Sequence, residues 1–242
     1  MKICVAQTRP VKGDIESNIN KHKELISLAV SNGADTIVFP ELSLTGYEPT
    51  LSKKLATHQD DPRLDDFQKI SDNDNVTIAV GLPTKSTAGI LISMIIFEPG
   101  KPRQTYSKQH IHSDEYPYFV NGQEQIFLNG NENKIAPAIC YELSVAEHSE
   151  NAFKNGAKIY VASVAKSVDG IDKAIKSLSE IATKYAMTVL MSNCIGLSDG
   201  FECAGKSSVW NDRGTLVRQL NGTQEGIIVI DTDTQEVFEE TI

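Results

Sequence analysis

Two kinds of stretch alternate along this 242-residue chain, and their alternation restricts its architecture more than any other feature. The first kind is a short run that is apolar throughout, such as Thr36-Ile37-Val38-Phe39 and Ile90-Leu91-Ile92-Ser93-Met94-Ile95-Ile96. A strand with no polar face is covered on both sides. The second kind has helical period: Ile15, Ile19, His22, Ile26, Ala29 and Val30 form one stripe, with Asp14 placed to cap its start and Gly33 its end. The pattern predicts strands over residues 3–7, 36–39, 76–80, 90–97, 103–107, 135–139, 158–162, 188–193, 207–210 and 226–231. It predicts helices over 15–32, 64–71, 144–155 and 171–187. Two stacked sheets with helices outside them satisfy the demand for cover on both faces. The acidic tail, residues 231–242, reads as a partner-binding or solvated arm.

A hydrophobic content of 40% is ample for one large core, and no Pro/Gly/Ser-rich or single-sign stretch divides the chain. One domain, residues 1–242, is expected. The formal charge of -9 contains no basic run and argues against nucleic-acid or anionic-membrane partners. No apolar run reaches membrane-spanning length, and the opening MKICVAQTRP breaks too early for a signal segment. Four scattered cysteines, at 4, 140, 194 and 203, form no CxxC pair and no disulfide framework, which fits a reducing, cytoplasmic setting.

Three residues stand where chemistry collects. Glu41 follows the run TIVFP, at the carboxyl end of a buried strand whose ladder Pro40 interrupts. A solvated loop carboxylate is the equal alternative there. Cys140 ends the run IAPAI, and Ser144 and Glu147 after it are spaced like a capping box. A thiol at a helix start gains thiolate character, whereas most free cysteines are small buried hydrophobes, the reading that Cys4, Cys194 and Cys203 keep. Lys108 lies in TYSKQHI, where a lysine at a sheet edge ordinarily reaches for solvent. His110 and His112 sit two apart without a completing ligand, so no metal is expected. Neither GxGxxG, GxxxxGK[ST] nor GxSxG occurs, so neither a nucleotide cofactor nor a serine elbow is expected.

In the order Glu, Lys, Cys, these residues carry a resemblance. Phe39-Pro40-Glu41-Leu42-Ser43-Leu44-Thr45-Gly46-Tyr47 resembles the base motif of the nitrilase superfamily, also called the carbon–nitrogen hydrolases. Tyr106-Ser107-Lys108-Gln109-His110-Ile111 resembles its lysine motif, and Ala138-Ile139-Cys140-Tyr141-Glu142 its nucleophile motif. The opening segment, SNCIG ending at Gly196, and Gly205-Lys206-Ser207-Ser208 also match, so the likeness spans the chain.

The resemblance implies an α/β fold, a four-layer α-β-β-α sandwich with two stacked mixed sheets, commonly a homodimer or higher homo-oligomer. It implies an amidase in which Cys140 attacks a small-molecule amide, Glu41 moves the proton, and Lys108 with the Tyr141 N–H stabilises the oxyanion. Glu115 looks like the family's second active-site glutamate, with Glu124 competing; Tyr47 joins the supporting residues, and Lys166, in the loop after ASVAK where members line the substrate pocket, either replaces the cation missing at Ser144 or, as lysines more often do, sits in solvent. Ser144 stands where many members carry arginine, and Ala182-Thr183-Lys184-Tyr185 replaces an Ala-x-Glu-Asn stretch, so substrate identity does not carry over. Small aliphatic or ω-amides are the first expectation, then N-carbamoyl compounds, then nitriles. A soluble acyltransferase and a non-catalytic binding protein on the same scaffold are the alternatives.

Overall fold

The computed structural model describes residues 1–128 and 134–242. Strands in chain order are β1 (Lys2–Gln7), β2 (Thr36–Val38), β3 (Thr77–Lys85), β4 (Ile90–Phe97), β5 (Gln104–Ser107), β6 (Ile135–Ile139) and β7 (Ile159–Val164). They continue with β8 (Thr188–Asn193), β9 (Ile195–Ser198), β10 (Phe201–Ala204), β11 (Ser208–Trp210), β12 (Leu216–Gln219), β13 (Gly226–Asp231) and β14 (Val237–Thr241). The helices are α1 (Ile15–Ser31), α2 (Ser52–Leu55), α3 (Asp65–Asp74), α4 (Ala146–Lys154) and α5 (Ile171–Tyr185).

One sheet runs β14-β13-β1-β2-β3-β4-β5 and a second runs β12-β11-β8-β7-β6; β9 and β10 form a separate hairpin. Both large sheets mix parallel and antiparallel pairs, as in β1 with β2 against β1 with β13, and β6 with β7 against β8 with β11. Alternate residues explain the stacking. Ile3 and Val5 face Ile135, Val161 and Leu190 across the gap between sheets, while Cys4 and Ala6 face the layer of α1 and α3. A third apolar cluster seals the second sheet under α5, through Ala174, Leu178 and Ile181. The order of layers is therefore helix, sheet, sheet, helix.

Helix α1 begins as its sequence predicts. The Asp14 carboxylate accepts from Ser17 N at 3.1 Å, and Gly33, just past the end, adopts φ 76°.

Three expectations fail. The helix forecast from Ser144 begins at Ala146, and Val145 at its N-cap offers no side-chain bond. Residues 140–144 instead form a 3-10 turn, because the Glu142 carboxylate accepts the Ile139 N–H at 2.6 Å and tightens the chain there. The acidic tail is not an arm, for β14 pairs antiparallel with β13 and completes the first sheet. Strand β3 runs on past the forecast end at residue 80, because its ladder with β4 continues through Gly81 and Pro83.

Candidate active site

Strands β2 and β5 of the first sheet and β6 of the second each end at one place, and each delivers a functional side chain there. Glu41 follows β2 in a turn where Leu42 takes φ 52°. That turn is seated directly on β3: a Cβ on Gly81 would lie 2.5 Å from both Leu42 N and Pro40 O, so only glycine permits the approach. His22 of α1 bonds Ser43 Oγ at 2.9 Å and fixes the turn from the other side. Lys108 follows β5, with its N–H on Ile92 O and its carbonyl accepting from Gly122 N at 2.7 Å. Cys140 follows β6 with φ 46°, a left-handed conformation that is strained for a side-chain-bearing residue and turns the thiol out of the strand line.

Lys108 is 1% exposed, and its ammonium sits between two carboxylates. Nζ is 2.8 Å from Glu41 Oε1 and 2.7 and 2.9 Å from the two oxygens of Glu115. It is no surface lysine. Burial alone would lower its pKa, but the charge of Glu41, with that of Glu115 and of Cys140 once it is deprotonated, outweighs burial and holds it above the ordinary lysine value. Glu115 also accepts from Tyr47 OH at 2.9 Å and from His112 N at 2.7 Å, so both its oxygens are engaged. Glu124, the competitor for this place, is exposed, because the chain after Gly122 runs along the surface.

Glu41 is different. Among the described residues its buried Oε2 has no hydrogen-bonded polar partner of nitrogen or oxygen, and the Cys140 thiol lies within reach of the carboxylate. Burial raises the Glu41 pKa against the opposing pull of Lys108. Burial, followed by the negative charge of Glu41, pushes the Cys140 thiol up to about 11, with Lys166 and Lys108 pulling the other way. The forecast of a helix-activated thiolate is therefore overturned. Five residues of 3-10 turn supply little dipole, and the buried site supplies a net negative charge.

A cavity of about 490 Å³ opens over this cluster, lined by Tyr47, Cys140, Tyr141, Lys166 and Phe201 with Asp114, Asp169 and Asp199 at its edge. Lys166 is half-buried in the loop after β7, and among the described residues its ammonium has no carboxylate partner. Tyr141 turns its ring against His112, 5.1 Å between centroids. His112 and His110 point to different neighbours, Asp114 for the first and the His148 ring for the second.

Sequence reasoning assigned no role to Glu142, which is fully buried. Its carboxylate gathers Ile139 N, Tyr106 OH and Gln109 N at 2.6, 2.7 and 2.6 Å, joining the segment that carries Cys140 to the one that carries Lys108. Burial raises it to about 7 despite these donors. The available signal was an acid inside an otherwise apolar segment, and for Gly81 a glycine within a strand.

The carbon-nitrogen hydrolase family profile matches residues 2–239. The chain belongs to the carbon-nitrogen hydrolase family. Among curated relatives of this chain are a glutamine-dependent NAD(+) synthetase of Thermotoga maritima and a 2-oxoglutaramate amidase of Bacillus subtilis, each 26% identical. The first alignment covers 98% of this chain and 42% of the synthetase, so the chain spans less than half the length of that relative. The second covers 94% of this chain and 88% of the amidase. Among solved structures, the NitN amidase of Nesterenkonia sp. AN1 superposes with a TM-score of 0.87 at 21% identity, covering 96% of this chain and 92% of that one. At that identity the likeness establishes the fold alone: two mixed sheets between helical layers.

Proposed function

We propose that this hydrolase is an amidase that cleaves a small amide through an acyl thioester on Cys140. One observation carries the reading: a lysine ammonium clamped between two buried carboxylates, beside a thiol that is neutral at pH 7. A neutral thiol needs a base as it attacks. Glu41 is the carboxylate with an uncommitted oxygen, whereas Glu115 is saturated by Lys108, Tyr47 and His112. Cys140 sulfur attacks the carbonyl carbon as its proton passes to Glu41. Lys108 and the Tyr141 N–H face the oxyanion, a contribution of about 3–4 kcal/mol for a well-placed donor. The C–N bond then breaks as Glu41 protonates the departing nitrogen. Water, deprotonated by Glu41, opens the thioester and frees the acid.

Lys166 supports an ω-amide as substrate, an amide with a carboxylate at its far end. Its unpaired ammonium lies in the cavity close enough to lower the Cys140 pKa, and Ser144 supplies no competing cation. The names of the 2-oxoglutaramate amidase and an omega-amidase of Escherichia coli point the same way. The rim aspartates favour a far end that also carries an ammonium, so glutamine-class amides come ahead of neutral ones. A specific observation favours a second reading: this chain aligns over 98% of its length with part of a glutamine-dependent synthetase, so the ammonia it frees serves a synthetase partner.

Ammonia release across glutamine-class amides, neutral amides and N-carbamoyl amino acids, with mass spectrometry of Cys140 during turnover, tests the proposal. The expected result is an acyl adduct on Cys140 and a preference for the charged amides. Full activity in Cys140→Ala overturns it.

A further inference from the structure

Two cysteines take no part in the chemistry above. Cys194 follows β8 directly and Cys203 lies within β10; each is 1% exposed, and their Sγ atoms are 3.0 Å apart. A disulfide bond is about 2.05 Å long, so only about 1 Å separates this pair from covalent distance. Cys4, by contrast, is packed among apolar side chains under α1, and Cys140 faces the cavity. The pair forms its own small cluster with Ala165, against which Tyr47 and Phe201 pack. Ala165 and Phe201 also line the cavity, which places the two sulfurs one side-chain layer behind its surface.

We propose that Cys194 and Cys203 are a modification site: a dithiol that a hydroperoxide converts to an internal disulfide in the cavity wall. The Cys194 thiol donates to Cys203 sulfur, a bond that draws Cys203 below the ordinary thiol range and raises Cys194. Cys203 is thus the attacking sulfur. Its thiolate attacks one peroxide oxygen and the O–O bond breaks, leaving Cys203 sulfenic acid and one water. Cys194 sulfur then attacks the Cys203 sulfur, the S–O bond breaks, and a second water leaves. Two thiols and one hydrogen peroxide give one disulfide and two waters, the peroxide taking up two electrons. A small dithiol reverses the change by exchange.

The wall gives the bond its consequence. Strand β10 holds the loop that carries Lys166: Ala204 N donates to Lys166 O at 2.9 Å, Val168 N donates to Glu202 O at 3.1 Å, and Cys203 bridges Ser167. Phe201 meets the Tyr47 ring at 5.8 Å, and Tyr47 holds Glu115. A Cys194–Cys203 bond therefore fastens this loop, through β10, to the end of β8 and stiffens one side of the cavity.

The test uses the full chain with Cys140→Ser, which removes the thiol that faces the cavity, and needs no turnover, so it stands apart from the amidase reading. The folded protein is treated with hydrogen peroxide, denatured, alkylated and digested. No lysine or arginine lies between the two cysteines, so both fall in one tryptic peptide, residues 185–206. The expected peptide is lighter by two hydrogens, carries no alkyl group, and regains both alkylation sites after dithiothreitol. Amide exchange over residues 166–168 and 195–205 is expected to slow in the oxidised protein. Adding Cys203→Ser should abolish the two-hydrogen loss; if that variant misfolds, the Cys140→Ser measurement decides alone. Full alkylation of both cysteines, or oxygen added to one sulfur without a link, overturns the proposal. Unchanged exchange at 166–168 overturns the stiffening.

Discussion

Lys108 holds its charge at 1% exposure only because Glu41 and Glu115 surround it, and those carboxylates depend on it in turn. Removing one partner of a buried ionic cluster costs about 3–5 kcal/mol, mostly from the charge left behind. Lys108→Met is expected to lose turnover and about that much stability at pH 7, read by urea unfolding. The deficit should shrink as pH falls, because burial already raises the Glu41 pKa and the loss of Lys108 removes the charge that opposes it. Glu142 makes a related prediction. Its folded pKa, about 7, lies above the ordinary 4.5, so the folded state binds its proton more tightly. Glu142 therefore stabilises fully below pH about 4.5, and that contribution, about 3 kcal/mol, fades as pH rises to about 7. Urea midpoints between pH 5 and 7 should fall with pH, and Glu142→Gln should flatten the slope. The sequence exposed Glu41, Lys108 and Cys140 because their neighbours form ordered motifs. It left Glu142 without a role because its work is to accept backbone N–H groups, which no side-chain pattern records.

At the level of elements, what the sequence made legible follows burial. Apolar runs such as residues 90–97 and 135–139 appear in the structure with the same bounds, because strands covered on both faces leave an unbroken signal. Strands β9, β10, β12 and β14 went unread because they are short and carry polar residues at alternate or edge positions: Glu202 in β10, Arg218 in β12, and Glu239 and Glu240 in β14. Their identity comes from partners distant in sequence, which local periodicity does not carry. Strand β3 shows how an element positions chemistry without contributing any. Gly81 lets the turn bearing Glu41 lie against its backbone, and Leu44 N fastens that turn to Gly81 O at 2.9 Å. Gly81→Ala places a methyl group 2.5 Å from two backbone atoms, so the turn must move. A displacement on the order of 1 Å at a catalytic group costs about 100-fold in rate. The expected outcome is that kcat falls by that order with the circular dichroism of the folded state retained.

The molecule as a whole is required for the site, since Glu41 and Lys108 come from one sheet and Cys140 from the other. Apolar contacts between the sheets do not set their relative position along the strands; directional bonds do. Ser163 Oγ of β7 donates to Phe39 O at 2.8 Å, two residues before Glu41, and Ser192 Oγ of β8 donates to Ala6 O at 2.6 Å. Both are buried and both cross between sheets, so each fixes where the thiol stands over the carboxylates. Ser163→Ala leaves the Phe39 carbonyl without that partner in the interior, at a cost of about 1–3 kcal/mol. The variant should bind substrate with a KM near that of the parent, because the cavity lining is untouched, while kcat drops because Cys140 and Glu41 lose their register. Urea titration gives the second readout. If the two sheets fold as one unit, the fluorescence of Trp210 in the second sheet and the catalytic rate are lost at the same urea concentration in the parent, and together at a lower concentration in Ser163→Ala. Activity vanishing well before the Trp210 signal would show instead that the sheets part first, and that the bond across them secures the site without securing the fold.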